Sequence, residues 1–258
     1  MNWQKATYQV NEKTLNDLFD NKMSAIIVED FINNEDCQKI QDGIQHIGLK
    51  HYNYQYNIDV PEAKHIFDTH YLYEQKKPEE YFPKAKETNQ LYREFCDTIK
   101  VDPFFKVKEL LSKNWTKPVQ IATQGNDVYT HVIVRELQSS ALLHADFAQF
   151  IPKYWSISDI SAQYAWNIYL TDPGIGGECV VYNKLWEKED DQYIYKKTYG
   201  YDEKVVEDKE FSQIPIKAGQ LVFFNSRNFH KVNKSPKMRL SIGGHVGLTP
   251  AGHLLMWV

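Results

Sequence analysis

The sequence predicts a mainly β protein in which helices from the first half of the chain buttress strands formed by the second half. Two observations carry this. Apolar residues recur at helical spacing within residues 1–118, whereas β-branched and aromatic runs separated by Gly and Pro turns dominate residues 119–258.

A short apolar strand is expected at Ala25, Ile26, Ile27 and Val28. The helix after it is the best defined: Asn33 can cap it, Glu35 and Asp36 lie in its electropositive first turn, and Cys37, Ile40, Ile44 and Ile47 share one face before Gly48 ends it. Residues 51–83 are Tyr-rich and irregular. Leu91, Phe95 and Ile99 then mark a second helix, stopped near Asp102 and Pro103, and Phe104, Val107, Leu110 and Leu111 mark a third. Strands are expected at 128–137, 163–171, 179–182, 220–224 and 238–246. Between them, residues 184–210 form a charged, Tyr-studded insertion, which reads as a solvated surface hairpin or as a lid over a site.

A chain of 258 residues suits one domain around a single core. Its 42% apolar and 14% aromatic content supplies both a core and a pocket and argues against disorder. A net charge of -4, with no run of Lys or Arg longer than a pair, disfavours nucleic acid as a partner. No uninterrupted apolar stretch reaches the ~18 residues of a membrane span, and no signal-like stretch follows the N-terminus, so a soluble cytoplasmic protein is expected. Cys37, Cys96 and Cys179 are odd in number and far apart, which suggests neither a disulfide framework nor a zinc site.

His144 and Asp146 are separated by one residue, so on an extended segment both point to one face and can share a metal ion. With 9 His and 34 acidic residues, about one such pair is expected by chance. The pair gains weight from the order and spacing of the residues C-terminal to it. Residues 166–170 read as a strand running into the turn-rich corner Asp172, Pro173, Gly174, Ile175, Gly176, Gly177, Glu178, with a return at 179–182. Residues 218–224 lead to His230, and nine residues later come Arg239 and Ser241, again two positions on one strand face. Two imidazoles and one carboxylate on one face of an iron(II) ion leave three adjacent positions, enough for a bidentate 2-oxo acid and dioxygen. A guanidinium fork beside a hydroxyl suits the far carboxylate of such an acid. Taken singly, a strand His or Arg is usually structural; the ordered combination points to chemistry.

Through His144-x-Asp146, the Gly176-Gly177-Glu178 corner, the run Ala218 to Phe224, His230 and Arg239-x-Ser241, residues 128–248 resemble the iron(II)/2-oxoglutarate oxygenases. Within them the chain looks closest to small standalone hydroxylases and halogenases of bacterial natural-product and free amino-acid metabolism. The resemblance implies a double-stranded β-helix, or jelly roll, with the metal in its mouth. It implies iron(II), 2-oxoglutarate as co-substrate and dioxygen, with His144, Asp146 and His230 as metal ligands and Arg239 with Ser241 as the 2-oxoglutarate anchor. It also implies hydrogen abstraction by a ferryl species and hydroxyl rebound on a small-molecule substrate, foremost a lysine-like free amino acid. In the halogenases a small residue replaces the carboxylate ligand and halide takes the vacated position; Asp146 is retained here, so hydroxylation is expected. Tyr129 and His131 alternate on the strand entering the first ligand segment and are candidate 2-oxoglutarate contacts. Trp166 or Asn167 is expected to face the cavity, Phe147 and Trp155 are candidate walls, and Asp127 is a candidate partner for a substrate amine. The alternatives are a peptidyl or larger natural-product substrate, a non-catalytic cupin-type binding protein, and a zinc hydrolase with Glu178 as base. The last two leave Arg239 without a task.

Overall fold

The computed structural model describes residues 3–51, 63–73, 77–196 and 198–258. Helix α1 (Glu12–Phe19) is capped by Asn11, and strand β1 (Ile26–Val28) lies where the apolar run is. Helix α2 (Asn34–Ile47) begins at the Asn33 cap, whose side chain accepts from the Asp36 N–H at 2.8 Å, and stops at Gly48, whose φ of +83° favours glycine. Strand β2 (Ala63–Ile66) follows.

Helix α3 (Pro78–Ile99) starts well before the expected position near Leu91. Pro78 occupies its first turn, where no donor is needed, and Pro83 removes a single backbone bond while Tyr81, Phe82 and Ala85 are buried beside it. Packing thus makes a helix of residues 78–83, which were expected to be irregular. The rest of the expected irregular region, 52–62 and 74–76, lies outside the described residues. Helix α4 (Pro103–Asn114) is capped by Asp102.

Besides a short hairpin of Thr123–Gln124 with Asp127–Val128, the remaining strands are β3 (Val119–Ile121), β4 (Ile133–Leu137), β5 (Ala141–His144), β6 (Ala162–Tyr169), β7 (Cys179–Leu185), β8 (Phe211–Ile214), β9 (Leu221–Phe224), β10 (Asn228–Val232), β11 (Arg239–Leu248) and β12 (Leu254–Trp257). One sheet runs β1-β9-β6-β11-β4-β2 and ends on the two-residue strand Lys50–His51, with β12 also paired to β11 and β3 parallel beside β12. The other runs β8-β7-β10-β5. The chain alternates between the two: β4, β6, β9 and β11 lie in the first sheet and β5, β7, β8 and β10 in the second. This is the connectivity of a jelly roll.

The period-2 pattern of β6 sorts its side chains. Tyr164, Trp166 and Ile168 pack outward in the core shared with the helices, together with Leu15, Ile44, Phe95 and Val107. Each such buried side chain contributes roughly 1.5–3 kcal/mol. Ala165, Asn167 and Tyr169 face the space between the sheets instead. Gly243 opposes Asn167, and a Cβ there would lie 2.5 Å from Asn167 Oδ1, so the glycine leaves room for the amide. Among the described residues no helix is long and apolar enough to cross a membrane.

Candidate active site

Strand β5 delivers His144 and strand β10 delivers His230, and the two are direct partners across the antiparallel ladder. Residues so paired project to the same side. Their rings lie 4.2 Å apart between centroids. Asp146 comes just after β5 ends, held by its own N–H, which donates to the Ser226 carbonyl at 2.7 Å. Its Oδ2 stands 3.9 Å from Nε2 of both histidines, and one ligand atom from each of the three lies within 4.8 Å of the others.

Both imidazoles are oriented by the backbone. Nδ1 of His144 lies 2.7 Å from the Leu142 carbonyl and Nδ1 of His230 lies 2.8 Å from the Asn228 carbonyl. A carbonyl can only accept, so each Nδ1 carries the proton and each Nε2 turns a lone pair toward Asp146. Burial, with His144 adding to it, pushes the His230 pKa down to about 3, which keeps the ring neutral and fit to bind a metal. Burial pushes the Asp146 carboxyl up, but His144, His230, His245 and Arg135 together hold it below its usual value. Two imidazoles and a carboxylate suit a divalent first-row metal.

A second tier of residues, which sequence reasoning did not single out, fixes the Asp146 segment. Gln163 Oε1 accepts from the Ala148 N–H at 2.9 Å, which sets the orientation of its amide. Its Nε2 then faces the Asp146 carbonyl, Ser226 Oγ and Nδ1 of His245 at 3.3, 3.0 and 3.1 Å. His245 Nδ1 therefore accepts, and Nε2, carrying the proton, lies 3.2 Å from the Tyr71 hydroxyl. The available signal was parity: Gln163 shares the inward face of β6 with Ala165, Asn167 and Tyr169.

Arg239 is buried on β11, with its guanidinium 5.4 Å from the centre of the Tyr169 ring and one nitrogen donating to the Gly177 carbonyl at 3.2 Å. The Gly-Gly corner makes that contact possible. Gly176 and Gly177 have φ of +77° and +75°, and a Cβ on Gly176 would lie 2.1 Å from the Lys234 carbonyl oxygen. Among the described residues the buried Nε of Arg239 has no protein acceptor, an orphan donor that a bound carboxylate would satisfy. Ser241 lines the same cavity.

That cavity, about 570 Å³, holds His144, Asp146 and His230 together with Arg239, Ser241 and Asn167. Its lining includes the aromatic and apolar Phe147, Phe150, Ile151 and Trp186 and also the polar Thr69, Tyr71, Arg135 and His245. The insertion contributes to the wall through Trp186, Tyr199 and Tyr201; the Tyr199 ring stands edge-on to His144, and the Tyr201 N–H donates to the Leu143 carbonyl. It is thus more than a solvated hairpin.

Several expected residues do not reach the cavity. Strand β4 begins at Ile133 rather than 128, because residues 129–132 leave the sheet to pack against α3 and α4. The Tyr129 hydroxyl donates to Gln124 Oε1 within an aromatic cluster with Tyr81, Phe82 and Trp155. His131 stacks on Phe104 at 4.9 Å. Neither Tyr129 nor His131 lines the cavity, so the structure gives no support to their expected contact with 2-oxoglutarate. Trp155 belongs to the same aromatic cluster, whereas Phe147 does form wall. Asp127 sits on an exposed hairpin, and Glu178 accepts from Asn233 Nδ2 at 3.1 Å and is not part of the cavity lining. Of the pair Trp166 and Asn167, the cavity residue is Asn167.

A family model described as the carrier-protein-independent halogenase WelO5 matches residues 4–254. Leucinostatins biosynthesis cluster protein S of Purpureocillium lilacinum is 35% identical over 179 residues, 66% of this chain and 73% of that protein. L-gamma-glutamyl-L-propargylglycine hydroxylase of Streptantibioticus cattleyicolor is 25% identical over 160 residues, 60% of this chain and 59% of that one. An N-substituted L-amino acid dioxygenase from Burkholderia ambifaria, solved in complex with alpha-ketoglutarate, superimposes with a TM-score of 0.64 at 14% identity, over 95% of this chain and 90% of that one.

Proposed function

Since the chain belongs to the carrier-protein-independent halogenase family, we propose that His144, Asp146 and His230 hold iron(II), that Arg239 and Ser241 hold the distal carboxylate of 2-oxoglutarate, and that the site hydroxylates an amino-acid-derived small molecule. The protein is an iron(II)- and 2-oxoglutarate-dependent dioxygenase. The observation that carries the assignment of residues is the orphaned Arg239 Nε, buried in the cavity that also holds the triad.

Bound iron(II), 2-oxoglutarate and dioxygen supply the oxidising power to break a C–H bond. The chain's own residues supply positioning. The carbonyls of Leu142 and Asn228 hold the two imidazoles in one tautomer, Gln163 clamps residues 146–148, and Arg239 offers a carboxylate a partner of fixed direction. Phe147, Phe150 and Trp186 give the cavity an apolar stretch of wall.

Hydroxylation rather than halogenation is favoured by Asp146, whose carboxylate occupies the place a halide would need, and a relative bears the name of a hydroxylase. A lysine-like substrate finds less support. Among the described residues of the wall the one acidic group is Asp146, already committed to the metal, while Arg135 and Arg239 are both cationic. A zinc hydrolase would lack its base, because Glu178 is not in the cavity, and a cupin-type store would leave Arg239 unexplained.

The test is anaerobic titration of metal-free protein with iron(II) and 2-oxoglutarate, following the visible metal-to-ligand charge-transfer band. The wild type should develop the band, His144→Ala should lose it, and Arg239→Ala should need roughly 100-fold more 2-oxoglutarate, the worth of a charge-assisted pair. A wild type that binds iron without producing the band would refute the assignment.

A further inference from the structure

We propose that Arg227, which is not itself part of the cavity lining, is a positioning residue that fixes Phe150 and Trp186 at the cavity mouth as the contact for an apolar side chain of the substrate. The inference rests on the reading of the site given above.

Arg227 lies in the turn between β9 and β10, next to Ser226, whose carbonyl accepts from the Asp146 N–H. The Arg227 N–H donates to Asn225 Oδ1 at 3.1 Å. Asn225 Nδ2 donates in turn to the Leu18 and Phe19 carbonyls at 3.2 and 3.4 Å, which ties the turn to the end of α1. Leu185 and Asn228 are the last partners of β7 and β10, so Trp186 and Arg227 come next on that ladder. The Trp186 N–H donates to the Arg227 carbonyl at 2.9 Å, as one half of a hydrogen-bonded antiparallel pair. The Arg227 N–H is engaged by Asn225, and the return bond comes from the side chain instead: Nε donates to the Trp186 carbonyl at 3.0 Å. One residue thus holds both backbone groups of Trp186.

The same guanidinium lies 5.2 Å from the centre of the Phe147 ring and 5.4 Å from that of Phe150. The rings continue one another, with Phe147 and Phe150 5.3 Å apart and Phe150 and Trp186 4.5 Å apart, edge to face. All three line the cavity, yet Phe150 is 50% exposed, so it stands where the cavity meets solvent. A side chain so exposed keeps its rotamer freedom unless a neighbour removes it, and here Arg227 and Trp186 do so. A planar, delocalised cation can lie against ring faces while its Nε donates to a carbonyl; the point charge of a lysine keeps only the first of these contacts. An apolar group entering the mouth therefore meets rings already in place, and both its affinity and its aim at the metal depend on Arg227.

The experiment compares the wild type with Arg227→Met, Arg227→Lys, Phe150→Ala and the double variant of Arg227→Met with Phe150→Ala, each loaded with iron(II) and 2-oxoglutarate. The charge-transfer band is read first, without oxygen. Succinate and hydroxylated product are then counted, with oxygen, for leucine, phenylalanine, asparagine and glutamine, free and N-acetylated. All variants should form the wild-type band, which shows that they are folded and their cofactor site intact. The apolar members should stimulate succinate release and the polar ones should not. For the best of them, Arg227→Met should raise KM roughly tenfold, about the worth of one cation–π contact or charged hydrogen bond, and should lower the product formed per succinate. Arg227→Lys should recover part of the loss. Phe150→Ala should also raise KM, and the double variant should fall short of the product of the two single effects, because Arg227 acts through that ring.

The proposal is overturned if no apolar member acts on the wild type, if KM and the product ratio are unchanged in Arg227→Met, or if the two single effects multiply in full. A band lost in a folded Arg227→Met would also overturn it, by making Arg227 a support of the metal ligands. Should Arg227→Met not fold, Arg227→Lys decides, since an unchanged KM there would overturn the proposal. Absence of the band in the wild type is a different result: it refutes the cofactor assignment, and this inference with it.

Discussion

His144 and His230 are cross-strand partners on β5 and β10, so the two imidazoles of the triad occupy a single rung of the smaller sheet. Each ring is also fixed through Nδ1 to a backbone carbonyl within its own strand. The site is therefore as rigid as the ladder that carries it, and metal binding should couple to folding.

Nickel(II), as a redox-inert stand-in, at about 100 times its Kd should stabilise the wild type by about 2.7 kcal/mol. For a chain of this size that is a rise of several degrees in Tm. His230→Ala should fold and show no metal-dependent rise. An equal rise in the variant would place the metal elsewhere.

Asp146 bears on the choice between hydroxylation and halogenation. Excess chloride should leave the anaerobic charge-transfer band of the wild type unchanged, because the carboxylate fills the position. In Asp146→Gly chloride should shift it. A chloride-sensitive wild-type band, or chlorinated product from the wild type, would contradict the role given to this carboxylate.

Gln163 should act on the metal through Asp146 without touching it. Gln163→Leu strands the Ala148 N–H and removes the donor to His245, a loss of about 1–3 kcal/mol in stability. Metal affinity should fall roughly 10–100-fold, as for other outer partners of metal ligands. Unfolding curves of the metal-free variant separate the two effects, and unaltered metal affinity would deny Gln163 its positioning role.

His70 is buried with neither ring nitrogen bonded among the described residues, and burial, helped by the nearby His245, pushes its pKa from 6.5 to about 3. Between those values the unfolded chain binds a proton that the folded one refuses. Stability must therefore fall as pH falls below 6.5, by up to about 1.4 kcal/mol per pH unit for this group, until the folded pKa is reached. Metal-free His70→Phe should lose less stability than the wild type over this range; parallel curves would show that His70 is not a source of the acid sensitivity.

The order His144, Asp146, His230, Arg239, Ser241 was legible because each pair is local: i, i+2 spacing puts two side chains on one face wherever the segment is extended. The Gly-Gly corner was legible for a similar reason, since the positive φ at Gly176 and Gly177 is a property of those residues. The same parity argument failed at Tyr129 and His131. Their alternation with Ile133 and Arg135 is as expected, yet the chain leaves the sheet before Ile133, so only Arg135 reaches the cavity.

By itself, then, the sequence determined a helical first half, a β second half and a set of residues whose types and spacing suit a metal and an oxo acid, because propensity, period and local spacing act over a few residues. The tertiary structure decided the rest. It set which strands pair, which brings His144 opposite His230 and Arg135 opposite Ser241; where β4 begins; and that Gln163, His245 and Tyr71 form the support behind Asp146. Those contacts join residues as much as 174 positions apart, and only the register between strands, set by the burial of one sheet face against the other and of the outer face against the helices, selects them.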